Sequence, residues 1–303
     1  MTTTPSIDVV VPTYNNRSEL SACLDAIGEA KGLVAKVIVC VDGSTDDTKE
    51  WLGTQMFAFP IAVREHPDGR NHGRGPARNL SLPELASEFV LFLDSDMRLH
   101  ANAVARHLEL LAMRDVVSIG DVRYDPLSTV WGRYQGTRGK NKSIDGAEVR
   151  ALDFNTQNVA LRSEHVLALG GFDTSMSGYG GEDTELGLRL ASERGLSFVF
   201  NERAVASTME MKSVDQGLAQ LDRFARTNLR SIRARHPAGA APFWIDRLGS
   251  SRVPDRLLRL ALNPIGERLA RLLLFRVPFA IQRRILDYLV LRTVWRGFWD
   301  GPE

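Results

Sequence analysis

The chain has 303 residues, 44% of them hydrophobic and 25% charged, an ordinary globular composition that excludes a disordered, collagenous or disulfide-stapled protein. Thirty-eight Lys and Arg against 37 Asp and Glu leave a net charge of +1, far from the basic footprint of a nucleic-acid wrapper, so no nucleic-acid partner is expected. The two cysteines, Cys23 and Cys40, sit in apolar settings and read as small buried hydrophobes of a cytoplasmic protein.

In chain order, Ile7–Pro12, Lys36–Val41, Phe59–Arg64 and Phe89–Leu93 read as strands, because each is short, nearly continuous in apolar residues and bounded by turn formers. Arg17–Lys31, Thr45–Met56 and Gly75–Ala86 read as the helices between them, giving an α/β beginning with a mostly parallel sheet. Ligands of such sheets bind beyond the carboxyl ends of the strands. The polar turns found there are Pro12-Thr-Tyr-Asn-Asn16, Asp42-Gly-Ser-Thr-Asp46 and Asp94-Ser-Asp96, with Arg74 to Asn79 following the third strand. Further on, Val116–Asp121 and Leu152–Leu161 look extended, and Thr184–Arg194 is a helix entered through the glycine-rich Gly170 to Asp183. Past Val214 the chain reads as helical over Gln216–Arg235, Asp255–Phe275 and Ile281–Trp295. Neither an export signal nor a charge-free stretch of about 18 residues is present.

Two carboxylates leaving a buried strand at Asp94 and Asp96 suit a hard cation and the diphosphate bound through it, although an isolated Asp-x-Asp also serves as a turn or a helix cap. Asp42, at the end of its strand, can accept the ring N–H of a base or a ribose hydroxyl. Glu182 and Asp183 open a helix whose dipole favours the ionised form, which suits a general base, or they merely complement that dipole. Trp131 and Tyr179 offer flat faces for a sugar ring, with core packing as the alternative. His66 and His72 fall in the loop before Arg74, as donor contacts or as plain loop residues.

Pro12-Thr-Tyr-Asn-Asn, Val41-Asp-Gly-Ser-Thr-Asp-Asp, Arg74-Gly-Pro-Ala-Arg-Asn, Phe92-Leu-Asp-Ser-Asp and Gly180-Gly-Glu-Asp-Thr-Glu-Leu-Gly-Leu-Arg-Leu occur in the order and spacing of the family 2 glycosyltransferases. The chain resembles that family over roughly residues 7–212, and its Gly170 to Leu190 region is similar to chondroitin-type polymerases and polypeptide N-acetylgalactosaminyltransferases. The resemblance implies a GT-A fold, with a Rossmann-like sheet and flanking helices, over residues 1–245: a nucleotide-binding half to about 115, an acceptor half, and then a helical extension over 246–303. It implies inverting, metal-dependent transfer from a nucleotide sugar, a UDP-sugar, to a hydroxyl acceptor. Pro12, Thr13, Tyr14, Asn15 and Asp42 would hold the base, Arg74 and Arg78 the phosphates, and Asp94 and Ser95 the ribose or donor sugar. Asp96 would ligate Mn²⁺ or Mg²⁺, Asp183 would act as base beside Glu182, and Tyr179, Gly180, Gly181 and Trp131 would face the acceptor.

One departure stands out. Relatives often place a histidine ligand after the last catalytic strand, whereas Asn201–Lys212 contains none, leaving Met209 or Glu210 there; Glu210 is the harder donor. A sugar-1-phosphate nucleotidyltransferase would instead show a glycine-rich phosphate loop near the N-terminus, and the intact Asp94, Asp96 and Asp183 weigh against the other alternative, a non-catalytic sugar-nucleotide binding module. From Arg252 to Glu303 ten Arg face five acids, a surplus of +5 against −4 for the rest. These amphipathic helices suit packing on the catalytic domain, a homodimer, or peripheral attachment at the inner face of an anionic membrane.

Overall fold

The computed structural model describes residues 6–30, 32–124, 129–138, 144–176, 178–208, 212–237, 243, 252 and 259–301. The chain divides into two compact units, the first comprising Met1–Ser128, Gln135–Ser175 and Glu182–Met211, the second Thr129–Tyr134, Met176–Gly181 and Lys212–Glu303. The charge break at Arg252 therefore falls inside the second unit rather than at its edge.

Strands β1 (Ile7–Thr13), β2 (Val34–Val41), β3 (Ile61–Glu65), β4 (Phe89–Leu93), β5 (Met97–Leu99), β6 (Val117–Tyr124), β7 (Glu148–Val149), β8 (Asn158–Arg162) and β9 (Phe198–Thr208) form one sheet. Their order is β3-β2-β1-β4-β8-β6-β9-β5, with β7 on β9. Strands β1 to β4 pair in parallel; β8 then runs antiparallel between β4 and β6, so the sheet is mixed rather than mostly parallel throughout. The helices are α1 (Arg17–Gly28), α2 (Thr48–Thr54), α3 (Arg74–Asn79), α4 (Ala103–Met113), α5 (Val130–Gln135), α6 (Ser163–Ala168), α7 (Glu182–Arg194), α8 (Val214–Arg226), α9 (Asn228–Arg235), α10 (Pro264–Leu274) and α11 (Phe279–Asp300).

In the first unit the near-continuous apolar strands are covered on both faces, as period-two alternation requires. Val9, Val11, Val37, Val39, Leu91 and Leu93 pack with Leu20, Leu24 and Ile27 of α1 and Leu108 and Leu111 of α4. Val10, Ile38, Cys40, Val90 and Phe92 face the other way, onto Leu186 and Leu190 of α7. Cys23 and Cys40 are buried, and burial raises both thiol pKa values, that of Cys40 to about 12. Helix α3 stops at Asn79 instead of running to Ala86: Pro83 has no N–H to give the preceding turn, and Leu82–Glu84 form a 3₁₀ turn instead.

The second unit is helical. Ser213 and Gln216 form a reciprocal capping box that starts α8. The single helix expected over Gln216–Arg235 breaks at Thr227 (φ −111°, ψ −84°), and α9 begins there. Of the expected helix over Asp255–Phe275, Pro264–Leu274 is observed as α10, capped by Asn263 Oδ1 on Gly266 N at 2.9 Å, while residues 253–258 lie outside the described set. Leu218, Leu274, Leu286 and Leu289 form the core together with Trp131 and Tyr134. No helix among the described residues is long and apolar enough to cross a membrane.

Candidate active site

Side chains of the turns themselves tie the strand-end loops together. Asn15, in the left-handed region at φ 49°, donates its N–H to Ser44 Oγ at 3.1 Å and accepts from Thr45 N at 2.7 Å, binding the turn after β1 to the turn after β2. Asn16 Nδ2 donates to Ser95 Oγ at 2.6 Å, adding the turn after β4. Pro12 and Thr13 end β1, with Thr13 buried and Tyr14 exposed beside them. Gly43 has φ 68°, and a Cβ on it would lie 2.4 Å from the Arg70 carbonyl carbon, so only glycine admits the next loop this closely.

That loop is held by Asp42. Its Oδ1 accepts from His72 N at 2.8 Å and its Oδ2 from Gly73 N at 3.0 Å, while His66 Nε2 lies 3.5 Å from Oδ1. Asp42 thus anchors the segment that leads into α3 and the exposed Arg74, and His66 is half-buried against it. The His72 ring lies 4.3 Å from that of His66, tilted by 48°, and bonds Asp68.

Arg78, from α3, is 1% exposed and lies at the centre of the acidic residues. Its Nη2 donates to Asp94 Oδ1 at 2.6 Å, and its Nη1 lies 3.6 Å from Asp183 and 3.7 Å from Glu182. The Phe172 ring stands 5.5 Å from the guanidinium carbon, a cation–π contact. Burial opposes the Arg78 charge, but the attraction of Asp183, Asp94 and Glu182 exceeds that penalty and raises its pKa. Nε and Nη1 have no hydrogen-bond partner among the described residues, which leaves the guanidinium capacity for another oxygen.

The two acids that open α7 differ. Glu182 is buried, and desolvation, followed by the like charge of Asp183, raises its carboxyl to about 7 against the lowering effect of Arg78 and Arg74. Asp183 is partly open, with Oδ1 accepting from Thr156 Oγ1 at 3.0 Å and Oδ2 from Thr156 N at 3.2 Å. Those bonds orient a carboxylate whose side chain remains 22% exposed.

Asp94 and Asp96 leave β4 as expected, and they offer carboxylate oxygens alone. Among the described residues no three His, Cys, Asp or Glu gather to cage an ion. The residues fit Mg²⁺ or Mn²⁺ bound in the open manner of these ions, through one or two carboxylates, substrate phosphates and water. Glu210 lies outside the described residues.

Gly180 and Gly181 belong to the second unit, where Asn228 Nδ2 donates to the Gly180 carbonyl and Gly181, at φ 96°, packs on α8. Tyr179 beside them is half-buried. Trp131 corrects the expectation of a sugar-stacking face in favour of its alternative: it is 3% exposed, its indole fills the space where a Cβ on Gly217 would stand, and it is a core side chain. Thr156, Asn16 and Phe172 join the site without a role expected from the sequence. Asn16 lies in the turn after β1 and Phe172 in the Gly-Gly-Phe-Asp segment that carries part of the family resemblance, whereas Thr156 has no local signal.

A mixed sheet of this order, with acids at the end of β4 and the start of α7, is the architecture of the GT-A glycosyltransferases. The sequence model described as glycosyl transferase family 2 matches residues 8–168, just over half of the chain, and the chain belongs to that family. A model described as the N-terminal domain of galactosyltransferase matches residues 153–215. The pre-mycofactocin glycosyltransferase of Mycobacterium tuberculosis is 28% identical over 97% of this chain and 62% of its own length. The chain spans less than two thirds of several curated relatives, and as little as 14% of one. A mannosyltransferase of Pyrobaculum calidifontis, solved with GDP-Man and Mn²⁺, superposes with a TM-score of 0.62 at 20% identity over 99% of this chain and 89% of that one. S. aureus TarS with UDP-GlcNAc gives 0.59 at 16% identity over 97% and 92%.

Proposed function

We propose that the chain is an inverting glycosyltransferase that moves a sugar from a nucleotide sugar, a UDP-sugar, to a hydroxyl acceptor. One observation carries the reading: a single buried guanidinium holds the carboxylate that ends β4 and lies within 3.7 Å of both acids that open α7. The groups for donor and acceptor chemistry are thereby set in one cluster. Pro12, Thr13, Tyr14, Asn15 and Asp42 bind the base, and Arg74 and Arg78 act on the diphosphate side. Asp94 and Ser95 meet the ribose or sugar.

Asp96, with Asp94 beside it, would hold Mg²⁺ or Mn²⁺. When bound there, such an ion would supply neutralisation of the charge growing on the departing diphosphate. Asp183 takes the proton of the acceptor hydroxyl, its carboxylate steadied by Thr156. The acceptor oxygen then bonds the anomeric carbon from the face opposite the diphosphate. The carbon–oxygen bond to phosphate breaks with its electron pair going to the nucleoside diphosphate, so the configuration inverts. Glu182, raised to about 7, is partly protonated at neutral pH and can donate to a sugar oxygen.

Asp183→Asn removes the base and leaves the donor groups in place. Sugar transfer should fall by about 10²–10⁴-fold, the usual worth of a general base, while calorimetric UDP binding stays within a factor of two or so of the original. Unchanged turnover would remove Asp183 from the mechanism. The same titration with GDP, with and without Mn²⁺, tests the base: tighter GDP binding would overturn the uracil reading.

A further inference from the structure

Helix α10 presents an apolar face outward. Ile265, Leu269 and Leu272 recur at i, i+4 and i+7, on one side of the helix, and Leu273 and Phe275 extend the stripe. Ile265 is 70%, Leu272 58% and Phe275 69% exposed, and Leu269 and Leu273 are exposed beside them. Apolar side chains scattered singly over a surface are ordinary, whereas a run of this kind marks an interaction site.

The charges around the stripe identify what it meets. From Arg268 to Arg284 the chain carries five Arg and no acid. Arg271 is engaged with Asp215 and Glu267, and Arg292 also binds Glu267, so the one acid of α10, between Ile265 and Leu269, is neutralised within the unit. Arg268, Arg276 and Arg284 are exposed.

We propose that this face docks the protein on a lipid bilayer that carries anionic headgroups. Leucine, isoleucine and phenylalanine would sink to the acyl boundary while the arginines extend to phosphates, the division of labour of an interfacial amphipathic helix. A second copy of the chain is a poorer occupant, because two such faces would set Arg268 and Arg276 against arginine, while Glu267 and Asp215 are already engaged by Arg271. The α10 helix lies on the surface and does not cross it, consistent with the lack of a spanning helix among the described residues. This inference is independent of the donor and acceptor of the transfer reaction.

The test is co-sedimentation of the full chain with vesicles of phosphatidylcholine alone and of phosphatidylcholine mixed with phosphatidylglycerol. Binding should be about 10-fold tighter or more on the anionic vesicles and should weaken with salt. The double variant Leu269→Asp, Leu272→Asp should lose about 10-fold or more of that binding. Arg268→Gln with Arg276→Gln should weaken binding to anionic vesicles and leave binding to neutral ones unchanged. All these positions are exposed, and an unshifted thermal midpoint confirms that each variant folds. No vesicle binding by the unaltered chain would overturn the proposal, as would equal binding to both vesicles or full binding by the leucine variant. A concentration-dependent dimer abolished by Leu269→Asp, without vesicle binding, would assign the face to a second copy instead.

Discussion

Arg78 is a buried cation facing three acids, and the balance between them decides how the cluster titrates. Removing one partner of a buried ionic group leaves the others uncompensated in a low dielectric, so Arg78→Met should cost about 3–5 kcal/mol in urea unfolding. A loss of under about 1 kcal/mol would show that the carboxylates are solvated enough to stand alone. Glu182 provides a second reading of the same cluster. Its pKa rises from the ordinary 4.5 to about 7 on folding, so between those values the folded chain holds a proton that the unfolded chain has lost. Stability therefore falls as pH rises through that window. Glu182→Gln removes the titrating group, and its unfolding midpoint should stay flatter than that of the original chain over this range; an identical fall in both would place the proton elsewhere. The acids and Arg78 stood out in the sequence because they lie at predicted element ends. Their mutual contacts did not, since the guanidinium reaches residues 16 and more than 100 positions away, and no local pattern encodes Thr156 beneath Asp183.

Among the elements, β1, β2 and β4 were legible to within a residue or two because a strand buried on both faces is written as a nearly continuous apolar run. Helix α3 was overextended because its hydrophobic content continues past Pro83, where the backbone cannot. For Trp131 the sequence leaves a sugar face and core packing side by side, because its burial depends on Gly217, a residue that reserves space without advertising what fills it. The turn before α7 shows the same logic. At Gly181 φ is 96°, and a Cβ would stand 2.9 Å from Phe224 Cε2 and 3.0 Å from Asn228 Cβ, while at Gly170 φ is 69° with nothing within 4 Å. Gly181→Ala should thus cost more than Gly170→Ala, which carries backbone strain alone, of order 1 kcal/mol. Equal thermal shifts for the two variants would mean that Phe224 and Asn228 move aside.

At the scale of the whole molecule, the charge break at Arg252 marks no boundary between the two units, and the sequence carries no sign that Thr129–Tyr134 and Met176–Gly181 join the second, because such joining is a matter of packing between distant segments. The buried thiols have a practical consequence. Cys23 and Cys40 are the chain's two cysteines, both inaccessible and both held far from the thiolate form. Met56, after α2, is 100% exposed. A Met56→Cys variant should take up a single equivalent of maleimide while folded and three in urea, and it would give a fluorescent reporter with neither native cysteine replaced.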